Sequence, residues 1–577
     1  MVYALPRIKL CWTGRDGAIS YPLDNPQEKT PSVLLCYYYI GILNNFPREG
    51  LSIHLAELLY KAARGYPRKE AVRCHQGVFS YEQFSRRVFR LAHFFKKRGL
   101  GPGRQAAILH YNCHIFLEAY FASALIGSAL VPLNYRLSSR EIEYILDDSQ
   151  SELILLHSDF WPKIEAIKNL KIAPANILLT GHQGPTPPPG LNYETVLQSS
   201  SPDPIPDWGP GGEATAQIYY TSGTTGRPKG VMLSHKNCYL HALGTLAELQ
   251  LTDSDVWLHV APLFHLADAW ATWAVTWAGG THVLVREFEP RAVLDTMVRE
   301  KITLTNMIPT MLNLLIHHPD FPACAFPHLR VLLSGGAPIA PEVVRKIMQG
   351  FGCDYIQTYG MTETSPFLTF SILKDHLKSL PPEKQFQFKS RTGRAFIGVS
   401  LKVARDNGEE VRPDDQEVGE IIVRGETITP GYWKLPEETQ KAIKNGWLYT
   451  GDLAVMDEEG YVNIVDRKKD LIVTGGENVY STEVENVLYQ IPQILETAVF
   501  GIPDDKWGEA VHAAVVLKED QPISEEEIIR FCKINLARYK APKSISFLPQ
   551  LPRTGSGKLF KKGLRDPYWE QSDKKVQ

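Results

Sequence analysis

The stretch Tyr81–Leu156, YEQFSRRVFRLAHFFKKRGLGPGRQAAILHYNCHIFLEAYFASALIGSALVPLNYRLSSREIEYILDDSQSELILL, decides the fold. Its opening places Phe84, Val88, Leu91 and Phe95 on one face of a helix over Tyr81–Arg98. Short apolar runs at Gln105–Leu109, Ala129–Pro132 and Leu153–Leu156 read as strands, with helical segments between them. One of those helices opens with Ser138-x-x-Glu141, the pattern of a capping box. Strands that alternate with helices imply parallel sheets joined by crossovers. The expected fold class is therefore α/β, with parallel-rich sheets.

Working outward, residues 1–45 show no sustained period and carry turn formers such as Asp24-Asn25-Pro26, so they read as an N-terminal extension. The α/β pattern starts near Leu51. Gly181–Gly190 and Ser201–Gly212 are too rich in Pro and Gly for regular structure. The alternation resumes after them and is expected to run to about Val465, where the charged stretch Asp466–Asp470 leads into a last piece of about a hundred residues. The expected domains are 46–467 and 468–577. Ala269–Val285, broken by Gly279-Gly280, reads as an amphipathic helix, a turn and a buried strand.

Composition narrows the function. Among 577 residues, Lys plus Arg number 62 and Asp plus Glu 64, a net charge of −2. No basic field exists to hold nucleic acid, so an anionic ligand must be caught locally. The eight cysteines form no CxxC pair or cluster, which argues against a disulfide framework or zinc site and fits a cytoplasmic location. Val33–Leu43 is uncharged but far shorter than the ~18–20 residues of a bilayer span. No transmembrane segment is expected. Peripheral membrane contact and oligomeric state are left open.

Tyr220–Gly230, YTSGTTGRPKG, carries the chemistry. Thr221, Ser222, Thr224 and Thr225 offer hydroxyl donors, Gly223 and Gly226 let the backbone approach a ligand, and Lys229 adds a point charge. Such a loop suits a polyphosphate. It is not a Walker A loop, because Lys229 is followed by Gly230.

With this loop go six further motifs: Pro262-Leu263-Phe264-His265, Ser334-Gly335-Gly336-Ala337-Pro338, Tyr359-Gly360-Met361-Thr362-Glu363, Tyr449-Thr450-Gly451-Asp452, Asp466-Arg467-Lys468-Lys469-Asp470 and Pro552-Arg553-Thr554-Gly555-Ser556-Gly557-Lys558. Together they make roughly residues 50–565 resemble the adenylate-forming superfamily of acyl-CoA synthetases, luciferases and peptide-synthetase adenylation domains. The resemblance implies a large AMP-binding domain, a small mobile α+β C-terminal domain, and ATP, Mg²⁺ and coenzyme A as cofactors. It implies that Tyr359 stacks on adenine beside the Gly335–Ala337 turn, with Gly360 and Met361 adjoining. Thr362 would donate to a phosphate oxygen, and Glu363 would help hold Mg²⁺, as a hard carboxylate suits. Asp452 and Arg467 match the ribose-binding positions, an acceptor and a planar donor fork.

A lysine in a Gly-flanked loop is ordinarily just solvated. Within LPRTGSGK, Lys558 resembles the lysine that bridges the acyl carboxylate and the α-phosphate, where one anion attacking another needs neutralised charge. The resemblance further implies that the small domain turns about a hinge at Lys469 between two half-reactions. Val473–Asn478 would then replace Lys558 at the site, with Gly475 and Gly476 lining a pantetheine tunnel next to Asn478.

His265 matches an aromatic-or-histidine position at the carboxylate end of the acyl pocket and is assigned to pocket shaping, with Asp268 and Trp270 as further pocket residues. The uncharged wall after His265 favours an aliphatic monocarboxylate, and Asp268 is expected to disfavour dicarboxylates. The expected function is an ATP-dependent carboxylate–CoA ligase acting on medium- or long-chain fatty acids. Alternatives are ligation of an aromatic acid, or loading of a carrier protein. A non-catalytic sensor would show decay at Glu363, Asp452, Arg467 or Lys558, and all four are intact.

Overall fold

The computed structural model describes residues 53–182, 187–221, 227–336, 339, 341–553 and 559–570. The expected extension at 1–45 lies outside them. The first helix of the deciding stretch spans Tyr81–Lys97, and Phe84, Val88, Leu91 and Phe95 are all fully buried. Ser80 caps it reciprocally: Gln83 N donates to Ser80 Oγ at 3.2 Å and Ser80 N to Gln83 Oε1 at 2.8 Å. Ser138 and Glu141 form the same box at the head of helix Ser139–Ser149. Two of the three expected strands fall at Gln105–Leu109 and Ala129–Pro132, and the third runs longer, over Ser151–His157.

Those strands belong to a sheet that runs in parallel through Leu191–Asn192, Ile177–Thr180, Ser151–His157, Gln105–Leu109, Ala129–Pro132 and Thr215–Thr221. Two antiparallel strands, Lys229–Ser234 and Gly431–Tyr432, complete it. A larger sheet holds a second parallel set: Glu70–Cys74, Thr281–Leu284, Val256–His259, Leu304–Met307, Val331–Gly335 and Asp354–Gly360. Helix His114–Ile126 is buried along its whole length, as expected for an apolar helix packed within the main core. Its one acid, Glu118, is held by Arg87 at 2.6 Å and by the Tyr193 hydroxyl.

The alternation does not persist to Val465. From Phe367 onward the large sheet is antiparallel, through Phe367–Phe370, Gly393–Ala395, Tyr461–Arg467, Trp447–Met456, Gly419–Gly425 and Val399–Ala404. The connections explain this. A parallel crossover needs about a dozen residues, whereas Gly360 and Phe367, or Met456 and Tyr461, are joined by short links. A third sheet, built from Ile472–Thr474, Glu477–Val479, Ile494–Asp504, Gly508–Leu517 and Ser544–Phe547, has its own core with helices Ser481–Leu488 and Glu525–Asn535.

Ala269–Val285 also departs from expectation. Its helix, Ala271–Ala278, buries Ala271 to Thr276 without a break, so it is a core helix rather than an amphipathic one. Gly279 ends it in the left-handed region at φ +77°, and strand Thr281–Leu284 follows, fully buried. Among the described residues no helix is long and apolar enough to cross a membrane.

Candidate active site

Tyr359, Asp452 and Arg467 meet where a strand of the large sheet ends, the crevice position that α/β sheets use for ligands. Strand Asp354–Gly360 delivers Tyr359, and the short turn Thr362–Thr364 after it carries Thr362 and Glu363. Tyr359 Oη donates to Asp452 Oδ2 at 2.6 Å, and Arg467 Nε meets Asp452 Oδ1 at 3.1 Å. The last contact follows from register, since Asp452 and Arg467 face each other across antiparallel strands. Burial first, then the Asp452 carboxylate, pushes the Tyr359 phenol well above its ordinary value, so it stays a donor. Each Asp452 oxygen keeps lone-pair capacity for a further donor.

A second cluster joins Lys229 to Glu363. The Lys229 ammonium pairs with Glu438 and lies 5.4 Å from the Tyr432 ring centroid. Tyr432 Oη in turn donates to Glu363 Oε1 at 2.9 Å. Glu438 sits at about 2, held down first by its hydrogen bond to Lys229 and then by Lys441. Tyr432 and Glu438 were not foreseen. The signal available was the stretch Gly431–Glu438, whose tyrosine pairs directly with strand Lys229–Ser234.

Thr221 and Lys229 are paired across the hairpin that carries the phosphate loop. Ser222, Gly223, Thr224, Thr225 and Gly226 lie outside the described residues, as do Ala337 and Lys558. On either side of the lysine loop, Arg553 bridges to Leu559, and Arg553 Nη1 donates to Thr310 Oγ1 at 3.2 Å. Thr310 opens helix Pro309–Ile316 of the large domain, so this loop's base touches that domain.

Several glycines have a reason in the chain itself. A Cβ at Gly360 would overlap the Pro366 carbonyl, and one at Gly335 would overlap Thr358. Their expected role, close approach to adenine, is not needed to explain them. Gly336 follows at φ +84°, and Met361 N donates to Pro366 O at 3.1 Å. Gly475 and Gly476, at φ +61° and +86°, make the two-residue turn of a hairpin in which Asn478 pairs with Val473. Lys469 is exposed; its carbonyl accepts from Arg565 Nη1 at 3.2 Å, and desolvation, then Arg467, pulls its ammonium below the ordinary value.

The acyl-side residues need correction. His265 precedes helix Leu266–Ala269 with its ring 4.8 Å from Phe264. Asp268 faces no pocket. It is fully buried, accepting from Trp257 Nε1 at 3.0 Å and bonded to His259 Nδ1 at 2.9 Å. Trp270 is equally buried, packed edge-on against Trp257 and Phe367. Neither can meet a substrate in this arrangement, so the argument that Asp268 repels dicarboxylates falls away.

The Tyr359–Asp452–Arg467 cluster on an α/β sheet is an arrangement suited to an adenylate-forming enzyme. Residues 59–433 match the AMP-binding enzyme family, and residues 483–558 the AMP-binding enzyme C-terminal domain. The chain belongs to the AMP-binding enzyme family and is an AMP-forming acid–thiol ligase using ATP and coenzyme A. It is 36% identical over 509 residues to a feruloyl-CoA synthase of an Amycolatopsis species, covering 88% of this chain and 97% of that one. A long-chain-fatty-acid–CoA ligase of Thermus thermophilus is 35% identical over 538 residues, covering 91% and 98%. The crystal structure of ATP-bound MatB from Rhodopseudomonas palustris superposes with a TM-score of 0.79 at 30% identity, covering 90% and 99%.

Proposed function

We propose that the chain activates an apolar monocarboxylic acid, a medium- or long-chain fatty acid, as its CoA thioester. The carboxylate attacks the α-phosphorus of ATP, forming acyl-AMP and expelling pyrophosphate. The CoA thiolate then attacks the acyl carbon and AMP leaves. The observation that carries this reading is Asp452, held between Tyr359 and Arg467 with acceptor capacity left for ribose hydroxyls.

In this reading Tyr359 stacks on adenine, and Lys229 with the hydroxyls of 221–225 holds the phosphates. Thr362 donates to a phosphate oxygen. Lys558 spans the two anions. Glu363 fits Mg²⁺, which typically takes one or two carboxylates plus substrate phosphates; among the described residues no group of three acidic, His or Cys side chains competes for it. Mg²⁺ bound there would withdraw charge from the phosphates. The linking segment between Arg467 and Ile472, with Lys469 in it, serves as the hinge between domains 46–467 and 468–577, and the Gly475–Asn478 turn borders the pantetheine path.

The fatty-acid assignment rests on the Phe264 ring beside His265 and on the Thermus relative. The Amycolatopsis relative supports a second reading, a hydroxycinnamate. A panel of acids assayed for acid-dependent ATP–pyrophosphate exchange, with and without CoA, tests both. kcat/KM should rise about fourfold per methylene, at about 0.8 kcal/mol each, and level off once the pocket is full. A hydroxycinnamate that beats every fatty acid by about tenfold would move the substrate class and leave the ligase chemistry standing. Pyrophosphate exchange without any CoA-dependent product would point to a carrier-protein acceptor.

A further inference from the structure

Five side chains from one short stretch form a closed polar chain inside the core. Asp268 accepts from Trp257 Nε1 at 3.0 Å and bonds His259 Nδ1 at 2.9 Å. His259 Nε2 meets His282 Nδ1 at 2.9 Å, and His282 Nε2 meets Thr276 Oγ1 at 2.9 Å. All five residues are fully buried. Strand register helps the alignment: Trp257 faces His282 across parallel strands, and the two imidazoles lie end to end, nearly coplanar, with centroids 5.2 Å apart.

Donor and acceptor chemistry orders the protons. A carboxylate only accepts, so His259 carries a proton on Nδ1, and as a neutral ring it offers the Nε2 lone pair. His282 must then donate from Nδ1 and accept at Nε2 from the Thr276 hydroxyl. With neutral imidazoles every ring nitrogen is used once. Burial pulls His282 well below its ordinary value, which agrees with a neutral ring.

The outer end of this chain ties down the segment that carries His265. Asp268 lies one helical turn after His265. Around it, Asn112 Nδ2 donates to Ala261 O at 3.0 Å and Leu263 N donates to Asn112 Oδ1 at 2.8 Å. Tyr120 Oη donates to Leu263 O at 2.7 Å, and Asn306 Nδ2 to Ala267 O at 2.6 Å. The segment is thus held from beneath at four residues, and Asp268 is its only side-chain link among these to the sheet below.

We propose that Asp268 is a positioning residue for acid binding: through the proton-ordered His259–His282–Thr276 chain it fixes the Pro262–Ala269 segment, and hence His265, at the edge of the acyl site. This rests on the reading that His265 borders the acid. The role is one of hydrogen-bond geometry and not of charge, which yields an unusual test. In Asp268→Asn the chain can reverse. The amide would keep accepting from Trp257 and donate to His259 Nδ1, His259 Nε2 would donate to His282 Nδ1, and His282 Nε2 to Thr276. No partner is lost.

The experiment compares Asp268→Asn and Asp268→Ala in the full chain, with ¹⁵N-histidine NMR and acid-dependent ATP–pyrophosphate exchange. Wild type should show His259 and His282 both protonated on Nδ1, and Asp268→Asn both on Nε2, with the acid KM within about threefold of wild type. Asp268→Ala, which leaves two buried donors unpaired, should raise the acid KM about tenfold while the ATP KM stays put. A doubly protonated His259 in wild type, or Asp268→Asn as impaired as Asp268→Ala, would overturn the proposal. So would a folded Asp268→Ala with a wild-type acid KM. Wild type without any acid-dependent exchange would count against the ligase reading instead, while the nitrogen protonation pattern still decides the proton order.

Discussion

Two carboxylate clusters in this molecule look alike on paper and differ in what surrounds them. Glu363 and Asp452 are nearly buried, 7% and 6% exposed, yet the groups around them reach solvent: the Arg467 side chain is 55% exposed and that of Glu438 24%. Asp268 sits among partners that are all fully buried. Partners at a rim can be exchanged for a ligand, whereas partners in a core cannot leave without orphaning a polar atom. Exchangeability, more than residue type, separates a binding carboxylate from a scaffolding one.

The largest effect expected from breaking this contrast is at the rim. Glu363→Ala should lower acyl-AMP formation by about 10²–10³, on the scale of losing one transition-state electrostatic contact, with little change in the denaturation midpoint. Parallel stopped assays of pyrophosphate exchange and urea titrations check it; a large fall in stability would place Glu363 with the scaffold. Thr276→Val makes the opposite cut. It keeps the shape and removes the hydroxyl that meets His282 Nε2 at 2.9 Å, so it should cost about 1–3 kcal/mol of stability and leave the ATP KM unchanged. A shifted ATP KM with an intact midpoint would show the core chain reaching the nucleotide. Glu438→Gln is the smallest and sharpens the point about exchange. Releasing Lys229 from its ion pair should lower the ATP KM about two- to fivefold at low salt, and less at high salt. A raised ATP KM would mean that Glu438 aims Lys229 rather than restrains it.

What the sequence disclosed follows the same division. Local chemistry was legible: the Ser138–Glu141 box, the short apolar strands and the left-handed stop at Gly279 each depend on neighbours within a few residues. The residues expected at the nucleotide stand out because each sits in a distinctive motif, and three of them, Tyr359, Asp452 and Arg467, meet. The partner of Lys229 was not, since Glu438 lies about two hundred residues away and arrives only through the pairing of Tyr432 with Val231. Asp268 was misread for a subtler reason. A lone acid in an apolar run invites a ligand, and its actual partners are visible only once Trp257 and His259 are placed on one strand face. The clue was a strand, Val256–His259, that alternates Trp and His toward the core side. The turn to antiparallel pairing after Gly360 is set by a link too short for a crossover, which apolar periodicity does not register.

The crowding at Gly335 and Gly360 has a consequence for how variation among such proteins is interpreted. At both positions a methyl group would strike the chain's own atoms, Thr358 in one case and the Pro366 carbonyl in the other. Selection must therefore hold both glycines fixed in any descendant that keeps this backbone, whatever acid it has come to use. Their invariance would report packing within the chain and carry no message about the acid. Mutant libraries aimed at changing the substrate should spare both positions, since diversity there would be spent on unfolded protein rather than on new specificity.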